Sequence, residues 1–220
     1  MAQHLQREIE QLKKKILTLG ATVEGSVRKA VNSIEHRDTS LAQAVIDGDS
    51  AIDQLEVDLE EDCLKILALH QPVAIDLRFI VAVLKINSDL ERIGDLATNM
   101  AERTIFLAAQ PDTAAPFNLH MIAEKAQAMV KRSLDSLVNL DAAMARQVRR
   151  MDDEVDKLNR EAFELVKEAI RRSPEQVETL IAYLSVSRYC ERIADHATNV
   201  AEDVIYMTDG LIARHRAEQV

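Results

Sequence analysis

Tryptophan is absent from this 220-residue chain, aromatic residues make up 3%, and there are only 5 glycines and 4 prolines. Sheets draw on aromatic and β-branched residues and on turn-forming glycine, so the composition excludes a sheet-rich fold and leaves an all-α one. The longest nearly uncharged run, FIVAVL from Phe79, falls far short of the roughly 20 apolar residues that a membrane helix needs. The opening MAQHLQREIEQLKKK lacks the apolar core of a signal peptide. Both absences point to a cytoplasmic location with no direct membrane insertion. Two cysteines, Cys63 and Cys190, make no framework, and each falls in a helical apolar pattern where a free thiol behaves as a small hydrophobe. No P-loop, dinucleotide glycine motif, nucleophile elbow or His-Glu-x-x-His appears, so nothing prepares a nucleophile.

Acids outnumber bases, 37 Asp and Glu against 27 Lys and Arg. A formal net charge of -10 excludes the basic face that phosphate backbones require, hence no nucleic acid. The short basic clusters at Lys13 to Lys15, Arg149 and Arg150, Arg171 and Arg172, and Arg214 to Arg216 are scattered and read as solvated helix ends or faces. Cations or basic protein surfaces are the expected partners.

What the chain does contain is helix. Its prolines, Pro72, Pro111, Pro116 and Pro174, fall where helices start or join, the positions at which proline is tolerated. The pattern predicts helices over 3–36, 39–70, 72–109, 117–141, 143–172 and 174–209, with Gly48 inside the second at a cost of about 1 kcal/mol. The segment AAQPDTAAPFN near 108–118 has linker character and divides the chain into residues 1–110 and 117–215. Two pseudo-symmetric, elongated three-helix bundles follow.

An internal repeat supports that division. ERIGDLATNMAERTIFL from Glu91 and ERIADHATNVAEDVIYM from Glu191 share ten of seventeen positions, where chance gives about one. Upstream, DSAIDQL from Asp49 resembles DDEVDKL from Asp152 at a shift of 103.

The repeated segments carry acids in an unusual setting. At 100° per residue, Ile80, Leu84, Asn87, Glu91, Asp95, Thr98, Glu102 and Ile105 share one stripe, as do Leu180, Leu184, Ser187, Glu191, Asp195, Thr198, Glu202 and Ile205. Each stripe is apolar at its ends and acidic in the middle, and it is additional to the core face on Phe79, Val83, Ile86, Leu90, Ile93, Ala97 and Met100. Asp49 with Asp53, and Asp152 with Asp156, also share helical faces. Antiparallel packing would bring two acid pairs together in each bundle. Close like charges repel by about 1 to 4 kcal/mol at effective dielectrics of 80 to 20. Arg92 and Arg192 point about 100° away from the neighbouring Glu and cannot neutralise the set alone. An all-oxygen shell suits hard cations such as Fe³⁺, Mn²⁺, Mg²⁺ or Ca²⁺. A solvated acidic face without metal accounts for the same residues. His196, at the position of Leu96, reads as packing on the core flank in preference to ligation.

The run from DSAIDQLEVDLEEDCLKILALHQPVAIDLR through ERIGDLATNMAE, together with SVSRYCERIADHATNVAEDVIY, resembles the PhoU family of phosphate-transport regulators over nearly the whole chain. The resemblance implies two three-helix bundles and multinuclear metal clusters, commonly iron or zinc, held by acid-x-x-x-Asp motifs on the bundle surface. Carried onto this sequence, the motifs are Asp49 with Asp53 and Glu91 with Asp95, then Asp152 with Asp156 and Glu191 with Asp195. Glu102, Glu202, Asn99 and Asn199 fall in the same signature, and Glu102 and Glu202 join the expected ligands. Glu56 is matched by Asn159, which implies a smaller or weaker second cluster. The resemblance further implies a homo-oligomer, a dimer, that restrains the phosphate ABC transporter and the starvation response by contact with the transporter ATPase and a membrane sensor histidine kinase. Two other readings stand beside it. One is a metal-free acidic helical adaptor. The other is a di-iron carboxylate oxidase or storage protein, which would need Glu-x-x-His motifs on a four-helix bundle that this chain lacks.

Overall fold

A computed structural model describes residues 2–210 and 213. Its described residues form α1 (Ala2–His36), α2 (Thr39–Ile46), α3 (Asp49–His70), α4 (Ala74–Ala108), α5 (Leu119–Asn139), α6 (Ala142–Arg172), a 3₁₀ turn (Pro174–Gln176) and α7 (Val177–Asp209), with no strand among them. The cluster Arg214 to Arg216 lies outside the described residues.

Local chemistry sets the boundaries. Asp38 accepts from the Ser40 and Leu41 amides at 3.0 Å each and starts α2. Asn118 and Asp141 cap α5 and α6 through the Met121 and Met144 amides, also at 3.0 Å, each satisfying a donor that the first helical turn leaves free. The expected single helix over 39–70 is broken. Asp47 and Gly48 form a two-residue turn, and Gly48 precedes α3 instead of lying inside a helix. The second half has no glycine at the matching place, and α6 runs unbroken for 31 residues. Position 174 begins a 3₁₀ turn and not the α-helix itself.

Each half is a three-helix unit: α1, the α2–α3 arm and α4, then α5, α6 and α7. The halves share one continuous core that runs from Ile9 through Ile86 and Met129 to Ile205. The expected core faces of α4 and α7 are buried in it: Val83, Ile86, Leu90 and Ile93 on one, Val186, Cys190, Ile193 and Val200 on the other. Both Cys63 and Cys190 are free, buried thiols, and burial pushes each up to about 12.

α4 and α7 pack along each other and carry most of the contact between halves. Their polar pairs fix an antiparallel register. Asp89 accepts from His196 Nδ1 at 2.8 Å and Asn199 Nδ2 at 3.1 Å, while Lys85, further back on α4, meets the buried Asp203, further on along α7, at 3.4 Å. The linker is tied to both halves. Arg37 donates to the Thr113 carbonyl at 2.9 Å and to the Tyr183 hydroxyl at 3.1 Å, and Tyr183 in turn donates to Thr113 at 2.9 Å.

Candidate functional site

The break before α3 places Asp49 in that helix's first turn, where a carboxylate faces unpaired amides and the positive end of the helix dipole. Asp53 follows one turn later. Gly94 lets α4 approach closely, since a Cβ there would stand 3.2 Å from both Ile52 Cδ1 and Ile52 Cγ2. Carboxylate oxygens of Asp49, Asp53 and Asp95 consequently lie within 4.8 Å of one another. Thr98 donates its hydroxyl to Asp49 at 3.0 Å.

The second half repeats the arrangement, with Asp152 and Asp156 on α6 and Asp195 on α7 inside the same 4.8 Å span. At the matching positions Ala194 replaces Gly94 and Val155 replaces Ile52. The added methyl on one helix is balanced by the methyl lost from the other.

The electrostatics show what this proximity costs. Burial raises Asp49, opposed by the Thr98 hydrogen bond and reinforced by Asp53, Asp95 and Glu102. Glu91 is raised by burial and by Asp95, against Arg92, and Glu56 by burial and by Glu60 and Asp53. In the second group burial, then Asp195 and Asp156, push Asp152 up to about 6. Glu191 and Asp195 are raised too, chiefly by burial, with Asp195 and Asp156 respectively as the next contribution. Carboxylates that hold protons this tightly sit in surroundings short of positive charge.

Arginines supply part of it. Arg92 reaches both Glu91 at 3.4 Å and Asp95 at 3.3 Å. Arg160 meets Asp156 at 3.3 Å and Arg188 meets Glu191 at 2.5 Å. Asp152 Oδ1 and Glu191 Oε2 nevertheless remain buried with no hydrogen-bond partner. Buried oxygens of that kind are costly unless something coordinates them.

The ten expected ligands therefore fall into three situations. Six aspartates form the two triads. Glu91 and Glu191 flank them on α4 and α7, and Glu102 is exposed yet close enough to act on Asp49. Glu202 is held by Arg149 at 3.2 Å. Glu56 belongs beside the first group, where Asn87 Nδ2 donates to its carbonyl at 2.9 Å and to its carboxylate at 3.3 Å. In the second half Ser187 donates to Asn159 at 2.9 Å. A donor and acceptor pair is kept, but the carboxylate becomes an amide and the second group carries one acid fewer. His196 is engaged by Asp89 and stands with the contact between halves. A cavity of about 610 Å³ under the linker is lined by residues such as Arg37, His120 and Tyr183 and by none of the ten acids. The triads lie apart from it.

Three carboxylates within 4.8 Å, backed by further acids and, in the second group, by the unpaired buried oxygens of Asp152 and Glu191, suit a hard cation that takes oxygen donors from two helices. The donor set fits a metal.

Known proteins carry the same architecture. A family model described as the PhoU domain matches this chain twice, over residues 16–104 and 119–204. A phosphate-specific transport system accessory protein PhoU homolog from Aquifex aeolicus is 38% identical over 210 residues, covering 96% of this chain and 95% of the relative. A homolog of the same description from Pseudomonas aeruginosa is 35% identical over 216 residues, covering 98% and 89%. The crystal structure of PhoU from Pseudomonas aeruginosa superposes with a TM-score of 0.89 at 35% identity, covering 94% of this chain and 99% of that one. The phosphate transport system regulatory protein PhoU from Streptococcus pneumoniae gives 0.84 at 27% identity, covering 95% and 99%. These are accessory and regulatory proteins, not enzymes. Because one domain model falls on each of the two halves that the repeated acids mark out, the chain belongs to the PhoU family.

Proposed function

We propose that this chain is a metal-binding regulator of phosphate uptake. It restrains the phosphate ABC transporter and the starvation response by contact with the transporter ATPase and a sensor histidine kinase, and it works in the cytoplasm as a homodimer. The regulatory role is supported by relatives whose names describe transport-system accessory proteins and by the lack of any catalytic constellation in the sequence. No helix among the described residues is long and apolar enough to cross a membrane.

The observation that carries the metal is the pair of matching triads, the second of which also has unpaired buried oxygens on Asp152 and the flanking Glu191. Asp49, Asp53 and Asp95, flanked by Glu91, Glu56 and Glu102, would hold metal in the first half. Asp152, Asp156 and Asp195, flanked by Glu191, would do so in the second. Iron or zinc is the choice implied by the family. When bound, the metal supplies the positive charge that both acid groups lack and ties α3 to α4 and α6 to α7. Elemental analysis of protein purified without chelator tests this, with metal expected in stoichiometric amount. A deletion strain is expected to take up phosphate without restraint and to express starvation genes in phosphate-rich medium.

One observation favours a metal-free acidic adaptor instead. Arg92, Arg160 and Arg188 already neutralise part of each group. Protein that stays metal-free after incubation with iron and zinc salts would select that reading.

A further inference from the structure

The two halves match at the acids but differ at their surfaces, and the differences are complementary. At the turn between α3 and α4, Leu69, Val73 and Ile75 are 74%, 75% and 73% exposed. Such side chains in one turn form an apolar knob. Gln71, the left-handed cap that ends α3, and Ala74 both have positive φ, 44 and 50, and so turn the chain sharply here. The matching turn of the second half, Ser173 to Gln176, is polar.

The second half carries a groove in its place. Between α6 and α7 a cavity of about 520 Å³ is lined by Phe163, which is 52% exposed, and Leu184, with Arg160 and Arg188 at its rim and Glu164 its acid. Ile181, half-exposed, lies one turn before Leu184. At the corresponding places the first half has Glu60 for Phe163, Val57 for Arg160 and Ser88 for Arg188. An exposed phenylalanine between two arginines is therefore a feature of one half only, on a chain whose net charge is -10.

We infer that the knob of one copy seats in the groove of a second. The inference rests on the homodimer reading above and names its interface. Charge supports the match, because Asp76 in the first turn of α4 adjoins the knob, and Arg160 and Arg188, although paired with Asp156 and Glu191, keep 70% and 59% of their side chains exposed at the groove. Position supports it too. The antiparallel packing of α4 on α7 puts the knob near the carboxyl end of α7, where Gly210 abuts Arg78. The groove lies toward the amino end of α7, and the stretch from Ile181 to Gly210 spans about 44 Å at 1.5 Å per residue. A second copy lying antiparallel alongside brings each knob to the other's groove, and the two contacts close under two-fold symmetry.

The test is sedimentation equilibrium of the full chain with Ile75→Asp, Phe163→Asp and a mixture of both. These side chains are exposed, so each variant keeps its helical circular dichroism. In either homodimer both contacts are lost, and dimer dissociation constants rise at least tenfold. In the mixture, the intact knob of Phe163→Asp meets the intact groove of Ile75→Asp, and association reappears between two chains that do not pair alone. A wild type that stays monomeric throughout overturns both the dimer and this interface. A dimer that survives either substitution, or variants that fail to complement each other when mixed, overturns the interface alone.

Discussion

Arg188 Nη1 lies 2.5 Å from Glu191 Oε1, one turn apart on α7, and Ser88 stands where the first half would need the same arginine. The second acid group is thus partly satisfied by its own helix. A cation entering that group competes with Arg188 for Glu191, whereas the first group presents Arg92 alone.

Arg188→Gln is therefore expected to raise metal affinity at the second site about two- to fivefold, the equivalent of a partly exposed ion pair worth about 0.5 to 1 kcal/mol. The same change should lower the melting temperature of chelated protein, because Glu191 then faces Asp195 without its partner. Calorimetric titration and thermal melts measure the two effects, and an affinity that falls on losing Arg188 contradicts the competition.

Occupancy at each site should depend on both of its helices, since one helix offers too few oxygens to close a shell. Asp95→Ala should empty the first site and leave the second largely filled, and Asp195→Ala should do the reverse. Metal content by mass spectrometry checks this. Full occupancy in either variant would remove that aspartate from the ligand set.

The elevated acids predict an unusual pH dependence. Asp152 holds its proton up to about 6 in the folded chain against about 3.9 for an unperturbed aspartate. Between those values the folded state binds more protons, so this residue's contribution to stability is fully present below about 4 and lost as pH rises through 6. In chelated protein Asp152→Asn should be more stable than wild type at pH 7.5, with the advantage shrinking as pH falls toward 4.5. Metal should reverse the order at pH 7.5, because wild type fills both sites whereas Asp152→Asn keeps only the first. An advantage independent of pH would show that Asp152 is ionised without penalty.

Much of this organisation was legible in the sequence, for identifiable reasons. Prolines and the 3.6 period marked six helical segments, and the repeated ERI-x-D-x-ATN segment marked the halves. The break at Gly48 was not legible, because one glycine inside a helix costs only about 1 kcal/mol and is often tolerated. The pairing of Arg188 with Glu191 and of Arg160 with Asp156 had a signal, their spacings of three and four residues, but such spacings are common in a chain this charged. The register of α4 on α7 had none. It depends on which apolar face meets which, and periodicity gives faces without partners.

Gly94 and Ile52 offer the sharpest test of how the helices set the site. A Cβ at Gly94 would stand 3.2 Å from two carbons of the buried Ile52, tighter than ordinary contact, so α3 and α4 must separate by a few tenths of an ångström or Ile52 must leave its rotamer. The helix itself gains about 1 kcal/mol from exchanging glycine for alanine, which offsets much of the overpacking cost. Gly94→Ala should thus change stability little while spreading Asp49 and Asp53 from Asp95, lowering metal affinity at the first site several-fold. The second half supplies the remedy, since Val155 and Ala194 occupy the matching positions. Adding Ile52→Val removes a methyl where the alanine needs room, and the double variant should recover most of the lost affinity although Ile52→Val alone brings no gain. Such non-additivity is the signature of direct contact. Additive effects on affinity would mean that the distance between α3 and α4 is not what sets the triad.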